Sequence, residues 1–174
     1  MNHHTILLLV LAATLTGIIS TGFAGPAKEF LTEEEIEKIQ NTQELVGRVR
    51  IYLDAAALRL KTVEDRLSGI EPQIGDPMEL YSPEDLVDGY YRILRTVLII
   101  VDDAFQKPGS SRDKAGKALK NLKQSTEKAL PRLEMLGKAA EEKQQKALLN
   151  SINKAIDITD SAHEGAIEGL SELP

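Results

Sequence analysis

The sequence holds no cysteine. That excludes disulfides, thiolate-bound zinc, thioether-linked haem, a cysteine nucleophile and a lipid anchor carried on a cysteine. Tryptophan is absent and aromatic residues make up 4% of the chain, so a core must be built from Leu, Ile, Val and Ala. Histidine is scarce: beyond His3 and His4 only His163 remains. A di-iron bundle centre needs a Glu-x-x-His on each of two helices, and one histidine cannot supply two copies. The patterns G-x-S-x-G, G-x-x-x-x-G-K and G-x-G-x-x-G do not occur, so the usual nucleophile elbow and phosphate-cradling loops are missing. Asp102 and Asp103 are sequence neighbours. At 3.6 residues per turn they point about 100° apart on a helix, which does not make an acid/base pair. Neither an enzyme nor a cofactor is expected.

What is present begins with an apolar run of 14 residues, Ile6 to Ile19, broken only by Thr14, Thr16 and Gly17, with no charged side chain between Met1 and Gly25. Gly22 and Ala24 supply small residues at the −3 and −1 positions of a cleavage site after Ala24. This layout predicts a secretory signal over residues 1–24. The positive charge of its start comes mainly from the amino terminus, since no Lys or Arg is there. Fourteen residues make about 21 Å of helix, short of the ~30 Å hydrocarbon core of a bilayer, so no stable membrane span is expected after cleavage. No Asn-x-Ser/Thr sequon occurs, which fits a bacterial protein exported to the periplasm or beyond.

After a short segment, residues 25–31, the pattern becomes helical through residue 172. Thr32-Glu33-Glu34-Glu35 reads as a capping box. Behind it Ile39, Val46, Leu53, Leu60 and Leu67 recur every seven residues, as do Val49, Ala56 and Val63. These are the a and d positions of a helix that packs at a shallow angle. A helix over 32–68 is expected, closed by Gly69. Ser82-Pro83-Glu84-Asp85 starts a second, over 83–107, with the stripe Val87, Tyr90, Leu94, Val97, Val101 and Ala104. A third spans 111–138 with Ala115, Leu119, Leu122, Thr126, Ala129, Leu133 and Leu136, and Pro131 predicts a kink inside it. The fourth, over 143–171, is read from Leu149, Ile152, Ile156, Thr159, His163, Ala166 and Leu170. Four helices with short connections predict an all-α protein, an antiparallel four-helix bundle of up-down-up-down order. The exception is the long connection Ser68–Tyr81. Besides its Gly and Pro residues it carries Ile70, Ile74, Met78 and Leu80, which predicts an ordered loop over the end of the core.

Two surfaces stand out. Ile51, Leu58, Ile93, Ile99 and Ile100 lie outside the main stripes and make their helices apolar on several sides. Such helices need cover, from the Ser68–Tyr81 loop, a second subunit or a ligand. These five residues form the candidate interaction surface. Charge is also segregated within the net of −6: residues 25–111 carry −7, residues 112–146 carry +5 and residues 147–174 carry −4. Lys114, Lys117, Lys120 and Lys123 are the candidate polyanion surface. No aromatics interleave them and the whole chain is acidic, so nucleic acid is not expected as a partner. Asp160 and His163, three residues apart, are the weak candidates for a metal or small-ligand site. The function expected is that of an exported, non-enzymatic interaction protein, acting on itself as a homodimer or on another protein. The alternative is a small-ligand or metal-binding bundle centred near His163.

Overall fold

The computed structural model describes residues 29–106 and 112–173. All of the regular structure in them is helical: α1 (Glu33–Asn41), α2 (Leu45–Leu67), α3 (Pro83–Gln106), α4 (Arg112–Glu142) and α5 (Lys146–Ser171), with no strand among the described residues. Residues 1–24 lie outside the described residues, and with them the expected leader and its cleavage after Ala24.

The starts of α1 and α3 follow their sequence signals. Thr32 Oγ1 accepts from the Glu35 amide, and the Glu35 carboxylate accepts from the Thr32 amide at 2.8 Å. Ser82 and Asp85 make the same reciprocal pair ahead of Pro83. Each pair satisfies two amides that the first helical turn cannot. At the end of α2 Gly69 takes φ +80°. Its amide returns to Arg66 O and that of Ile70 to Asp65 O, the closure that glycine provides at this position without a Cβ penalty.

The expected single helix over 32–68 is two helices. Thr42 is extended, closes α1 through its amide on Ile39 O and bonds Lys38 O with its hydroxyl. Glu44 then starts α2 by accepting from the Gly47 amide at 2.8 Å. Gly47 permits this corner, since a Cβ there would stand 2.9 Å from Thr42 Cγ2. The seven-residue spacing from Ile39 to Val46 runs across the break by sequence alone: Ile39 is buried, Val46 is half-buried, and the buried stripe of α2 starts at Val49.

The turn expected between 138 and 143 falls at 143–145, so α4 runs four residues further than expected. Gln144 adopts φ +56°, with its amide on Glu141 O and the next amide on Ala140 O. The same closure forms as at Gly69, but on a residue whose Cβ crowds the backbone there. Such a conformation costs ~1–2 kcal/mol. Glycine would return ~0.4–1 kcal/mol through its looser unfolded chain. Gln144→Gly is therefore expected to raise the unfolding free energy by about 0.5–1 kcal/mol, read from the urea midpoint at constant slope. An unchanged or lowered midpoint would argue against strain at Gln144.

α2 lies against α3 and α4, and α5 against the same two helices, while α1 lies along α2. This packing is consistent with a helical bundle. Its centre is apolar, with Leu60, Leu94, Leu122, Leu133, Leu148 and Ile152 fully buried. α4 continues through Pro131 with Ala129 and Leu133 both buried, so its stripe keeps register. The buried stripe of α5 differs from the expected one. It is Leu148, Ile152, Ala155, Thr159, Ala162 and Ala166, with Leu149, Ile156, His163 and Leu170 half-buried at its border. After Leu148 and Ile152, α5 turns small side chains, Ala155, Thr159, Ala162 and Ala166, to the centre. Gly169 fits the same close approach, since a Cβ there would stand 3.0 Å from Leu119 Cδ1.

Polar ties cross between helices. Arg132 makes a two-pronged ion pair with Glu64, and Lys143 Nζ donates to Leu67 O at 2.7 Å. The buried Thr159 hydroxyl donates to Ala155 O, so the Tyr90 hydroxyl, 2.8 Å away, donates to Thr159. Burial pushes the Tyr90 hydroxyl up from 10.0 to about 12, against the pull of the Arg132 charge. A pKa raised on folding contributes stability that is complete below the unfolded value. That contribution is lost as pH rises from about 10 to about 12. Tyr90→Phe is expected to cost about 0.5–1.5 kcal/mol at neutral pH and to remove this alkaline loss. Melts of both proteins from neutral to alkaline pH check it; equal alkaline losses would place the effect elsewhere.

Candidate functional site

The Ser68–Ser82 connection is built around Arg66. Its guanidinium donates to the carbonyls of Met78 at 2.8 Å, Tyr81 at 3.1 Å and Glu79 at 3.4 Å. Asp76 Oδ1 accepts from the Met78 amide, and the Glu79 carboxylate accepts from the Gly75 amide. Gly75 takes φ +87° at the tip. Met78 goes inward and joins the core. At the edge, the Tyr81 hydroxyl donates to Glu29 O at 2.8 Å, fastening the loop to the segment ahead of α1.

With its backbone tied in this way, the loop turns three aliphatic side chains outward. Ile74 is 98% exposed, Leu80 83% and Ile70 57%. Single exposed aliphatics are ordinary. Three on one fifteen-residue connection, each needing order that costs conformational entropy, ask for a partner. Their neighbours Glu71, Asp76 and Glu79 make the loop acidic, and it contains no Lys or Arg. Beside it a groove of about 480 Å³ is lined by Glu29, Glu33 and Glu34 with Leu31, Pro77 and Tyr81.

The helical residues expected to form the interaction surface divide. Ile93 is fully buried in the core and takes no part in a surface, because α3 is covered on that side by its neighbours. Ile51 and Ile100 are half-buried and packed against the core. Leu58 and Ile99 are exposed, at 44% and 61%. Of the loop's own apolar side chains, Met78 joins the core, and Ile70, Ile74 and Leu80 are exposed.

Lys114, Lys117 and Lys120 are exposed along the first turns of α4, and Lys123 is half-buried. Lys117 pairs with Asp113 and Lys123 with Glu127, each one turn away on the same helix. Hydrogen bonding and charge in the first pair hold Asp113 below the usual carboxylate range. Lys117 and Lys120 line a groove of about 400 Å³ together with Arg112, Asp113, Gly116, Leu170 and Leu173.

His163 sits at the border of the core with Nδ1 3.0 Å from Thr126 Oγ1. The Thr126 hydroxyl proton is directed at Leu122 O and Lys123 O, so the threonine oxygen accepts and Nδ1 carries the proton. Asp160 is exposed. No group of three or more His, Asp or Glu arranged to hold a metal ion occurs among the described residues. A smaller cleft of about 250 Å³ between α3, α4 and α5 has Phe105, Leu119 and Gly165 in its lining, with Asp102 and Glu168 at its rim.

Two arginines that organise the structure escaped the sequence reading. Arg66 shapes the loop. Arg59 is buried inside the corner between α1, α2 and the chain ahead of α1. It makes a two-pronged ion pair with Glu35 and donates to Ala55 O and to Phe30 O at 2.9 Å. The Phe30 ring in turn lies 4.5 Å from the Arg92 guanidinium. Arg59 stands three residues after Ala56 and four before Val63, a spacing that puts it beside the buried stripe and could have marked it.

Comparison with family models, curated proteins and solved structures finds no match to this chain. No helix among the described residues is long and apolar enough to cross a membrane.

Proposed function

We propose that this chain is an exported, non-enzymatic interaction protein, its four long helices alternating in direction. Its Ser68–Ser82 loop is the surface it offers a partner. The observation that carries the reading is the loop itself: Arg66 fixes the backbone through three carbonyls while Ile70, Ile74 and Leu80 face outward. A backbone ordered in advance lowers the entropy cost of binding, and exposed aliphatic side chains supply the area. Export rests on the apolar leader over 1–24. The alternating direction is supported by the close approach of Gly116 to Leu173 and of Gly137 to Leu149, which pairs the start of α4 with the end of α5 and the reverse.

The test is site-specific photo-crosslinking in the producing cell. A photoreactive residue at position 74 or 70 is expected to give a discrete protein adduct. The same probe at Asn153, exposed on α5, is expected to give none. No adduct from either loop position, or equal adducts from all three, would remove the loop as the interaction surface.

A further inference from the structure

The partner that best fits this loop lies elsewhere on the same molecule. We propose that copies of this chain associate head to tail, the acidic, apolar Ser68–Ser82 loop of one copy seating in the basic groove at the start of α4 in the next. This rests on the interaction reading above and names its partner.

The two surfaces are complementary in both charge and apolar character. The loop presents Ile70 and Ile74 among three carboxylates, Glu71, Asp76 and Glu79. Two of these carboxylates are held in place by the amides of Met78 and Gly75. The groove is lined by Leu170 and Leu173, by Arg112, Lys117 and Lys120, and by Asp113, which is paired with Lys117. Leu173 lies across Gly116, where a Cβ would meet its Cδ1 at 2.9 Å. Residues 112–123 hold five basic side chains and one acidic one, a net of +4. The acidic side chains near the end of α5, Glu168 and Glu172, line the neighbouring cleft toward α3 instead. At about 400 Å³ the groove has room for one or two branched aliphatic side chains.

Within one molecule these surfaces cannot meet. Lys143 Nζ on Leu67 O puts the end of α4 beside the start of the loop. Residues 112–120 lie along the same helix, Arg112–Glu142, some 33–45 Å back from its end at 1.5 Å per residue. A loop-on-loop dimer would set three carboxylates against three more, which like-charge repulsion disfavours. Because the two patches are unlike, each contact pairs the loop of one copy with the groove of another. Apolar contact supplies the attraction, and the charges set register and make the association sensitive to salt.

Sedimentation velocity of the protein purified from its producing cell tests this. The mass is expected to rise with concentration at low salt and to fall back at about 1 M salt, where the screening length is about 3 Å. Ile74→Lys disables the head at a side chain that is 98% exposed, and Lys117→Glu with Lys120→Glu disables the tail at two exposed positions. Each variant alone is expected to bind itself at least about tenfold more weakly, a change of ~1.4 kcal/mol, with an unchanged circular-dichroism melt. An equimolar mixture of the two is expected to recover association but to stop at a dimer. One intact head then meets one intact tail, and both outer ends are disabled. A wild-type chain that stays monomeric, a single variant that associates like wild type, or a mixture that fails to pair would each overturn head-to-tail assembly. A monomeric chain whose position 74 still crosslinks to a different protein in the cell would overturn this inference alone and leave the interaction reading standing.

Discussion

Replacing Glu35 with alanine is expected to lower the unfolding free energy by about 3–5 kcal/mol, the cost of leaving a buried ion without its counterion. Arg59 is 3% exposed. Without the carboxylate its guanidinium would keep only the carbonyls of Ala55 and Phe30. Glu35 also closes the capping box on the Thr32 amide, so the start of α1 loosens at the same time. The ion pair is not expected to contribute that much in itself, because both groups give up water to form it. The double replacement Glu35→Leu with Arg59→Met is therefore expected to recover most of the loss. Urea unfolding of Glu35→Leu, of Arg59→Met and of the double variant forms a closed cycle. A double variant as unstable as the sum of the singles would mean that the two residues act independently.

The second large effect separates two isoleucines that the sequence reading treated alike. Ile93→Ala is expected to cost about 2–5 kcal/mol, the range for an aliphatic truncation in a packed core. Ile99→Ala, six residues on along the same helix, is expected to stay within about 0.5 kcal/mol. Ile93 is fully buried and Ile99 is 61% exposed. The denaturation midpoints of the two variants decide it. Equal costs would mean that Ile99 is covered in solution, as it would be if a second copy sat on α3.

Where local chemistry was self-contained, the sequence could be read directly. Thr32 with Glu35, Ser82 with Asp85, and Gly69 each act within a few residues, and each forms the cap its neighbours imply. The heptad positions of α2, α3 and α4 were legible because those helices bury large aliphatic side chains at regular spacing. α5 was less so. Its centre is lined by Ala155, Ala162 and Ala166, and reading the large residues as the stripe rotated the helix by about one position. The corner at 42–44 stayed hidden because the hydrophobic spacing runs through it, although Thr42, Glu44 and Gly47 together carry the signal. Gln144 carries none, since nothing in a glutamine announces a left-handed turn.

The candidate site was legible in part. Apolar residues among the glycines and prolines of 68–81 marked a loop ordered over the core, and Met78 joins that core. Which side chains turn outward depends on Arg66, whose three carbonyl partners lie 12 to 15 residues away. Such a tie leaves no periodic trace. Arg59 and Glu35 are 24 residues apart and hidden for the same reason.

Hydrogen exchange of the amides between Ile70 and Tyr81 tests most directly whether the loop is a fixed platform. The amides of Ile70, Gly75, Met78 and Tyr81 donate to carbonyls or carboxylates within the α2–loop segment, and slowed exchange is expected at all four even though Ile74 beside them is in water. Arg66→Ala is expected to abolish that protection while leaving α5 as slow as before. Free exchange through the loop in the wild-type chain would contradict the platform, and with it the surface proposed for binding.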